Sequence, residues 1–439
     1  MRIKIINCVT LSVLVLIFVW SHALLAEDGS YAIRNATIVT VTGETIENGT
    51  LVIQGEKITV LGTGVSIPAD AEVIDARGLF VYPGMIDAAT GLGLYEVGAV
   101  ASTVDANEIG TYLPHIKAHV AINPHSVHIP ISRVNGITTA LVGAGGGIIS
   151  GQYALINLKG WTPGEMVLKE PVAIGINFPR LPREDDRRRQ QAQSTRQAGA
   201  GKERTEKQIK ELREVLNRAK RYAETWDEYN RSPEPPAPDR DLMLEALVPV
   251  VKKELPVIIS VNAEKDIKNA VEFVDTLDIK AILRGVTDGW KVAELLKKHD
   301  IPVLVGPVLS VPGSKDPYDA RYANAGILNK AGVKIAFLTG SAPDVRSLPY
   351  HAGTAAAYGL PKEEALKAVT IYAAEIFGVA DKIGSLEEGK LANVVVTDGD
   401  ILEMKTRIKH LFIGGEKIPL TSKHTESYEK FRKRPAAKK

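Results

Sequence analysis

The sequence predicts an α/β protein built on a (β/α)8 TIM-like barrel, with a small β-sandwich domain formed from both chain ends. Two observations carry this prediction. In the middle of the chain, short apolar runs alternate with segments of helical periodicity. Near both ends, short β-runs are separated by glycine and asparagine turns. Apolar strands bounded by helices favour a parallel barrel over an antiparallel sheet, and a doubly wound sheet is the main alternative.

The alternating units occupy the stretch from residue 136 to about residue 370. Buried strands are predicted at 136–143, 255–263, 280–285, 301–306 and 333–340. Helices are predicted at 266–277, 288–300, 321–331, and from near Ser347 and Lys362. Strand and helix at this spacing indicate parallel βα units, and we place the barrel at residues 83–383.

The β-runs at the two ends predict one composite domain. Three runs between Tyr31 and Tyr82 are matched by two more, at 389–401 and 408–418. Because runs this short need partner strands, we expect residues 27–82 and 384–420 to assemble together.

A charged insertion at residues 181–240 interrupts the barrel, and a basic tail follows at 421–439. The stretch 183–208 is polar, so we predict a disordered or mobile loop there. Apolar residues then recur at helical spacing and predict an amphipathic helix: Ile209, Leu212, Leu216, Ala219, Ala223 and Trp226. The end of the tail is predicted to fray.

The chain begins with a segment typical of an exported protein. A basic start precedes an apolar run and then small residues, which predicts a signal peptide over residues 1–26, cleaved after Ala23 or Ala26. An uncleaved membrane anchor is the alternative. Cys8, the single cysteine, lies in this segment, so the mature chain would contain no thiol. We expect a periplasmic or secreted protein, free of the membrane after cleavage.

The overall composition excludes some functions. The hydrophobic content of 45% and charged content of 24% are ordinary for a folded protein. A formal net charge of +2 gives no indication of nucleic-acid binding.

Several separated stretches resemble the amidohydrolase superfamily, and in particular imidazolonepropionase-like metal-dependent hydrolases. These are "PGMIDA" from Pro83, "NGITTALVG" from Asn135, and "EALKAVTIYAAEIFGV…IGSLEEGKLANVVV" from Glu364. The resemblance implies a barrel holding one or two divalent metals, commonly zinc, at the mouth formed by the carboxyl ends of the strands. It also implies hydrolysis of non-peptide C–N bonds by a metal-activated water.

The metal ligands implied by this resemblance are missing. Ala89 and Gly91 stand where the first strand should carry two histidines, and Gly340 stands where the last should carry aspartate. The remaining ligand positions fall at Asn157, Ser260, Asn262 and Gly285. Arg284 adds a fixed cation that would repel a divalent ion. We therefore expect no metal cofactor.

A displaced metal site is a second hypothesis. His115 and His119 are four residues apart and would share a face if helical, and His125 and His128 follow closely. Glu96 or Asp105 could complete a ligand set. The alternative is that these are surface or hydrogen-bonded histidines near a loop.

Other polar residues could form a pocket at the mouth. Asp344, Arg346 and Tyr350 follow the last predicted strand, and they could line a pocket or order the loop through an ion pair. His351 could contact a ligand or cap a loop. Arg284 and Glu96 are further pocket candidates. Ser150 lies in a glycine-rich stretch without a nucleophile-elbow motif, so we interpret that stretch as a tight turn.

Three functions remain open from the sequence. The chain could be a degenerate amidohydrolase that binds a small amide-like ligand or pairs with an intact homologue. It could instead be an active hydrolase of cyclic amides or dipeptide-like substrates, with a rebuilt or partner-completed metal site. It could also be a structural scaffold. An open polar pocket would favour the first two, and a mouth filled by side chains would favour the third.

Overall fold

The computed structural model describes residues 29–181, 196–233, 236–313 and 315–434. The predicted signal peptide lies outside the described residues, and so does the first part of the predicted mobile loop, up to residue 195. None of the described helices is both long enough and apolar enough to cross a membrane.

Strands and helices follow one another along the whole described chain. The strands are β1 (Ser30–Ile38), β2 (Ile46–Gln54), β3 (Lys57–Gly62), β4 (Glu72–Asp75), β5 (Phe80–Pro83), β6 (Met85–Thr90), β7 (Ile137–Val142), β8 (Ile149–Asn157), β9 (Val167–Asn177), β10 (Val257–Val261), β11 (Ala281–Gly285), β12 (Val303–Val305), β13 (Ile335–Phe337), β14 (Val394–Thr397), β15 (Ile408–Ile413) and β16 (Glu416–Lys417). The α-helices are α1 (His128–Arg133), α2 (Pro163–Met166), α3 (Arg196–Arg231), α4 (Leu242–Val251), α5 (Glu264–Leu277), α6 (Ala293–Lys298), α7 (Ala320–Lys330), α8 (Leu348–Ala357), α9 (Lys362–Ala368), α10 (Ile371–Ile376) and α11 (Lys423–Arg432).

The two chain ends form one sheet domain, which confirms that prediction. Its strands lie in the order β16-β15-β14-β5-β1-β2-β3, with β4 also paired to β1. The C-terminal strand β14 is antiparallel to β5, so the ends are joined by main-chain hydrogen bonds. Buried side chains such as Ile33, Leu51 and Phe412 form the core of this domain.

The middle of the chain forms a second eight-stranded sheet, in the order β6 through β13. The sheet curls into a nearly closed barrel, and the Gly340 amide donates to the Ala89 carbonyl across its seam at 3.1 Å. Along β7 the side chain of Leu141 packs inside the barrel, whereas Ala140 and Val142 pack against the outer helices. The predicted TIM-like barrel is therefore confirmed.

One strand departs from the predicted parallel arrangement. Strand β8 is antiparallel to both β7 and β9. Only residues 143–148 connect β7 to β8, too few for the crossover that parallel strands require. Gly146 (φ 79°) and Gly147 (φ 58°) adopt the left-handed conformation that lets the chain reverse there. The glycine-rich stretch thus makes a hairpin.

The expectation of a mobile loop at 183–208 is wrong for its second half, because α3 begins at Arg196. Helix α3 is anchored further along by the predicted apolar face, in which Leu212, Leu216 and Ala219 are buried. Extending an anchored helix costs less free energy than starting one, and Arg, Lys, Glu and Gln favour helix. The Thr205 hydroxyl also donates to the Arg180 carbonyl at 2.9 Å, tying this stretch to the barrel.

The first part of the basic tail forms helix α11, at residues 423–432, which the sequence analysis did not predict. A reciprocal capping box starts it: the Thr425 amide donates to the Ser422 hydroxyl at 3.3 Å, and the Ser422 amide donates to the Thr425 hydroxyl at 2.8 Å. Two free amides at the helix start are satisfied in this way, which stabilises a helix that the basic composition alone does not predict.

Candidate binding site at the barrel mouth

The seam of the barrel is closed by a buried aspartate, Asp87. Its carboxylate accepts hydrogen bonds from the Ala89 amide (3.1 Å), the Thr339 amide (3.2 Å) and the Thr339 hydroxyl (2.5 Å). Burial raises the pKa of Asp87 to about 7, although the Thr339 hydroxyl and the two amides oppose that rise. Asp87 therefore holds β6, the first barrel strand, beside Thr339, which follows the last barrel strand, β13.

A polar row crosses three neighbouring strands near their carboxyl ends. Asn177 on β9 pairs with Ser260 on β10, and Ser260 pairs with Arg284 on β11. Because residues in register on parallel strands point to the same face, these three side chains lie side by side. Each is half-buried, in contrast to the fully buried apolar residues beside it.

Arg284 is held in this row by a tyrosine that sequence analysis missed. Its Nη1 atom donates to the hydroxyl of Tyr153 at 3.0 Å. Tyr153 lies on the antiparallel strand β8 and is only 3% exposed, inside the barrel. The contact joins the two sides of the barrel interior and orients the guanidinium.

Two glycines make room for the Tyr153 ring. A Cβ atom at Gly143 would lie 2.1 Å from the ring, and one at Gly175 would lie 2.6 Å from it. Both distances are far below van der Waals contact, so neither position accepts a larger side chain without movement. The sequence shows that two glycines stand at these positions, but it does not show which ring they accommodate.

The small residues at the other predicted ligand positions lie around this row. Ala89 is fully buried in the barrel interior. A Cβ atom at Gly91 would meet nothing within 4 Å, and one at Gly340 would make only an ordinary contact, 3.5 Å from Leu338. A Cβ at Gly285 would lie 2.6 Å from the Asn262 side-chain oxygen. The segments that follow the first and last strands therefore carry glycines with space beside them.

Asn157, the predicted position of a further metal ligand, does not lie at the mouth of the barrel. Its side-chain oxygen accepts hydrogen bonds from Asn393 at 2.9 Å and Thr139 at 3.1 Å, near the sheet domain. Because β8 is antiparallel, its carboxyl end faces away from the mouth.

The histidines proposed as a displaced metal site have separate environments. His119 contacts Glu170 (Nδ1 to Oε2, 2.7 Å), and His128 lies 3.1 Å from the carbonyl of Glu96. The ring of His125 packs edge-on against Trp161, with centroids 6.0 Å apart. His115 is exposed, and His119 lies in a short 3-10 turn at Ala118–Ala121 that does not include His115, so the two do not share a helix face. In the described part of the chain, no three His, Cys, Asp or Glu side chains form a group able to hold a metal ion.

The polar residues after the last strand order loops. Asp344 accepts from the Ser341 hydroxyl at 2.5 Å, and Arg346 donates to His424 at 3.2 Å, so these two predicted partners do not pair. The Tyr350 hydroxyl accepts from Asn135 at 3.3 Å. His351 is buried and accepts from the Val308 amide at 3.1 Å, and burial lowers its pKa to about 4. This contact corresponds to the second role predicted for His351, which was to cap a loop.

A cavity of about 940 Å³ lies at the opposite end of the barrel. Its walls include Pro171, Pro256 and Pro302, which precede or begin the regular part of barrel strands. The charged groups there include pairs such as His299 with Asp275, whose atoms are 2.8 Å apart. The ammonium group of Lys169, which also lines the cavity, donates to the Phe377 carbonyl at 2.8 Å.

Comparison with known proteins links this fold to hydrolases. The amidohydrolase family model matches residues 232–418. The D-hydantoinase of Geobacillus stearothermophilus is 46% identical over 79 residues, which span 18% of this chain and only 16% of the hydantoinase.

Solved structures extend the likeness to the whole described barrel and sheet domain. An amidohydrolase from Thermotoga maritima MSB8 is similar with a TM-score of 0.76 and 25% identity, covering 88% of this chain and 99% of its own. A prolidase complexed with N-methylphosphonate-L-proline (TM-score 0.51, 16% identity, 89% and 99% covered) and a molinate hydrolase (0.54, 17%, 90% and 96%) share the fold. With its composite sheet domain, its seamed barrel and these relatives, the chain is a member of the amidohydrolase superfamily.

Proposed function

We propose that this chain is an exported amidohydrolase-fold protein that has lost the metal centre of its superfamily and acts as a ligand-binding or partner subunit. The ligand would be a small amide-like molecule, and the partner an intact homologue. Export is proposed from the amino-terminal signal sequence alone.

The observation that carries the proposal is the position of Arg284 at the barrel mouth. A guanidinium keeps its positive charge at any physiological pH, and the Tyr153 hydroxyl fixes it in the polar row. A divalent cation placed nearby would be repelled, with a strength that grows as water is excluded. The side chains of Ala89, Gly91 and Gly340 have no atom that could coordinate an ion. The residues present therefore do not fit the metal that the superfamily implies.

The two alternatives have less support. A rebuilt metal site would need the histidines to converge, whereas His119, His125 and His128 each have a different neighbour. A pure scaffold would favour a mouth filled by side chains, whereas Gly91 and Gly340 have space beside them and Arg284 remains half-buried. The polar row thus favours binding.

An activity assay of the isolated mature chain tests the proposal. The chain would be incubated with zinc or manganese and assayed against a hydantoin, a cyclic imide, a prolyl dipeptide and an N-acyl amino acid. We expect no metal-dependent hydrolysis of any of them. Turnover that rises with added metal and disappears with a chelator would contradict the proposal.

A double variant, S260A/R284M, is the matched control for a contaminating hydrolase. Both substitutions lie in the polar row of the mouth. Activity that changes in this variant would come from the mouth of the chain itself, whereas activity that is equal in the wild type and the variant would come from a contaminant or from a site outside the mouth.

A further inference from the structure

We infer that Arg284 is the binding residue for the carboxylate group of a small organic acid, which would lie in the barrel mouth against Ser260. This inference rests on the proposed function, because it names the class of ligand that the same mouth would take. It assigns a binding role to Arg284, the residue directly before Gly285, and to Ser260; the superfamily implies metal ligands at positions 260 and 285.

The guanidinium of Arg284 has hydrogen-bonding capacity to spare. Only Nη1 has a partner among the described residues, the Tyr153 hydroxyl at 3.0 Å. No carboxylate in the described ranges forms an ion pair with Arg284; Asp87 acts on it only through space. The other two guanidinium nitrogens make no hydrogen bond to the described residues, and they are not sealed off from solvent. A guanidinium carries five N–H donors, and most of these can therefore reach a ligand.

The immediate neighbour of Arg284 adds a second polar group. Ser260 is in register with Arg284 on the adjacent parallel strand, about 5 Å away by ordinary strand spacing. Its hydroxyl makes no hydrogen bond to the described residues, and it is half-buried without being sealed. A hydroxyl can donate to an oxygen held by the guanidinium, so the two groups can act on one anion.

Free space adjoins the seam side of the mouth. Gly91 directly follows the first barrel strand, β6, and Gly340 lies three residues after the last, β13. An added Cβ atom would meet nothing within 4 Å at Gly91 and would make an ordinary 3.5 Å contact at Gly340. Side chains of ordinary size at these positions would enter this space. Their absence leaves room for the organic part of a ligand.

The chemistry of the row favours a carboxylate over other anions. A guanidinium offers two parallel N–H groups that match the two oxygens of a carboxylate. One fixed cation balances one negative charge, whereas a phosphate dianion would leave a charge uncompensated. A half-buried cation without a direct counter-ion also carries a desolvation cost, which a bound carboxylate would offset.

Calorimetric titration of the mature full chain, with EDTA present, tests this inference. The probes are N-acetylglycine, its uncharged N-methylamide, and inorganic phosphate. We expect N-acetylglycine to bind at one site and to bind at least about 10-fold more tightly than the methylamide, because only the acid has a carboxylate for the guanidinium. We expect phosphate to bind more weakly than the acid.

Three variants locate the binding. R284M removes the charge and should weaken N-acetylglycine binding by about 10- to 100-fold, as expected for loss of charge-assisted hydrogen bonds. R284K keeps the charge without the planar fork and should give an intermediate loss, which also covers the case in which R284M does not fold. R346M is the matched control, because Arg346 contacts His424 outside the row, and it should bind like the wild type.

Several outcomes would overturn the inference. Equal binding of the acid and its methylamide would show that the carboxylate is not recognised, and tighter phosphate binding would show that the anion class is wrong. Unchanged binding in R284M and R284K would place the ligand elsewhere. Failure to bind, without metal-dependent hydrolysis, would overturn this inference alone. Binding that appears only in a repeat titration with zinc in place of EDTA would overturn the proposed function instead.

Discussion

The two halves of the barrel differ in regularity. From β10 to β13, parallel strands alternate with helices, and the amidohydrolase family model, at residues 232–418, covers this half. From β6 to β9, the chain uses an antiparallel strand and short helices, and a tyrosine ring fills the interior. The polar row lies where the halves meet, on β9, β10 and β11. The half that the family model matches is therefore the regular one, and the buried tyrosine that contacts Arg284 lies in the other half.

The strongest test of this difference is removal of the Tyr153 ring. Y153A should lower the free energy of unfolding by about 3–5 kcal/mol, because a large buried side chain is deleted between two glycines that cannot fill the cavity. Urea unfolding measures the effect. Y153F is the matched control: it keeps the ring, loses only the hydrogen bond to Arg284, and should cost about 1 kcal/mol. Equal effects of the two variants would contradict the described packing.

A second substitution examines the same packing from the other side. G143A places a methyl group 2.1 Å from the Tyr153 ring and should cost about 1–3 kcal/mol through overpacking. In the Y153A background the added methyl group has space, so most of that cost should disappear. A double-mutant cycle on urea midpoints measures this coupling, and additive costs would mean that the two residues do not touch.

The pH dependence of stability sharpens the comparison at the seam. The pKa of Asp87 is raised by burial to about 7, from an unfolded value near 3.8. The folded state therefore binds the proton more tightly, and the associated stability is fully present below about pH 4 and lost as the pH rises through 7. We expect the loss to be on the order of 4 kcal/mol, since each unit of pKa difference corresponds to about 1.4 kcal/mol. The difference between wild type and D87N in urea midpoint, followed from pH 4 to 8, isolates this effect, and a constant difference would contradict it.

The regular half should respond in the opposite direction. The pKa of His351 is lowered by burial to about 4, from an ordinary value near 6.5, so the unfolded state binds the proton more tightly. The associated stability is present above about pH 6.5 and lost as the pH falls through 4. We expect a loss on the order of 1 kcal/mol between pH 7 and 5. H351Q, which does not titrate, should remove this dependence, and an unchanged acid limb in H351Q would contradict it.

The sequence predicts more of the regular half than of the irregular half. Apolar runs and helical periodicity locate β10 to β13 because each unit depends on neighbours in sequence. The reversal of β8 was signalled by the glycines before Ile149, yet the direction of a strand depends on which partner it meets. The contact between Tyr153 and Arg284 spans 131 residues, so no local pattern could reveal it. Residues 196–208 are helical because the helix continues into the apolar face that follows them. Their own polar composition does not indicate this.

The candidate site was predicted only in outline. The motif around Pro83 identified where ligands should stand and that Ala89 and Gly91 replace them. What the sequence could not provide was the polar row, since alignment of Asn177, Ser260 and Arg284 requires the register of three strands.

The metal content of the purified mature chain tests the central claim most directly. After exposure to zinc and manganese and removal of free metal, we expect far less than one ion per chain, because Arg284 and the small residues at the strand ends do not form a cation site. A stoichiometric ion would contradict the account. If that ion were lost in an H119A/H125A/H128A variant, the metal centre would have moved to the histidines rather than vanished.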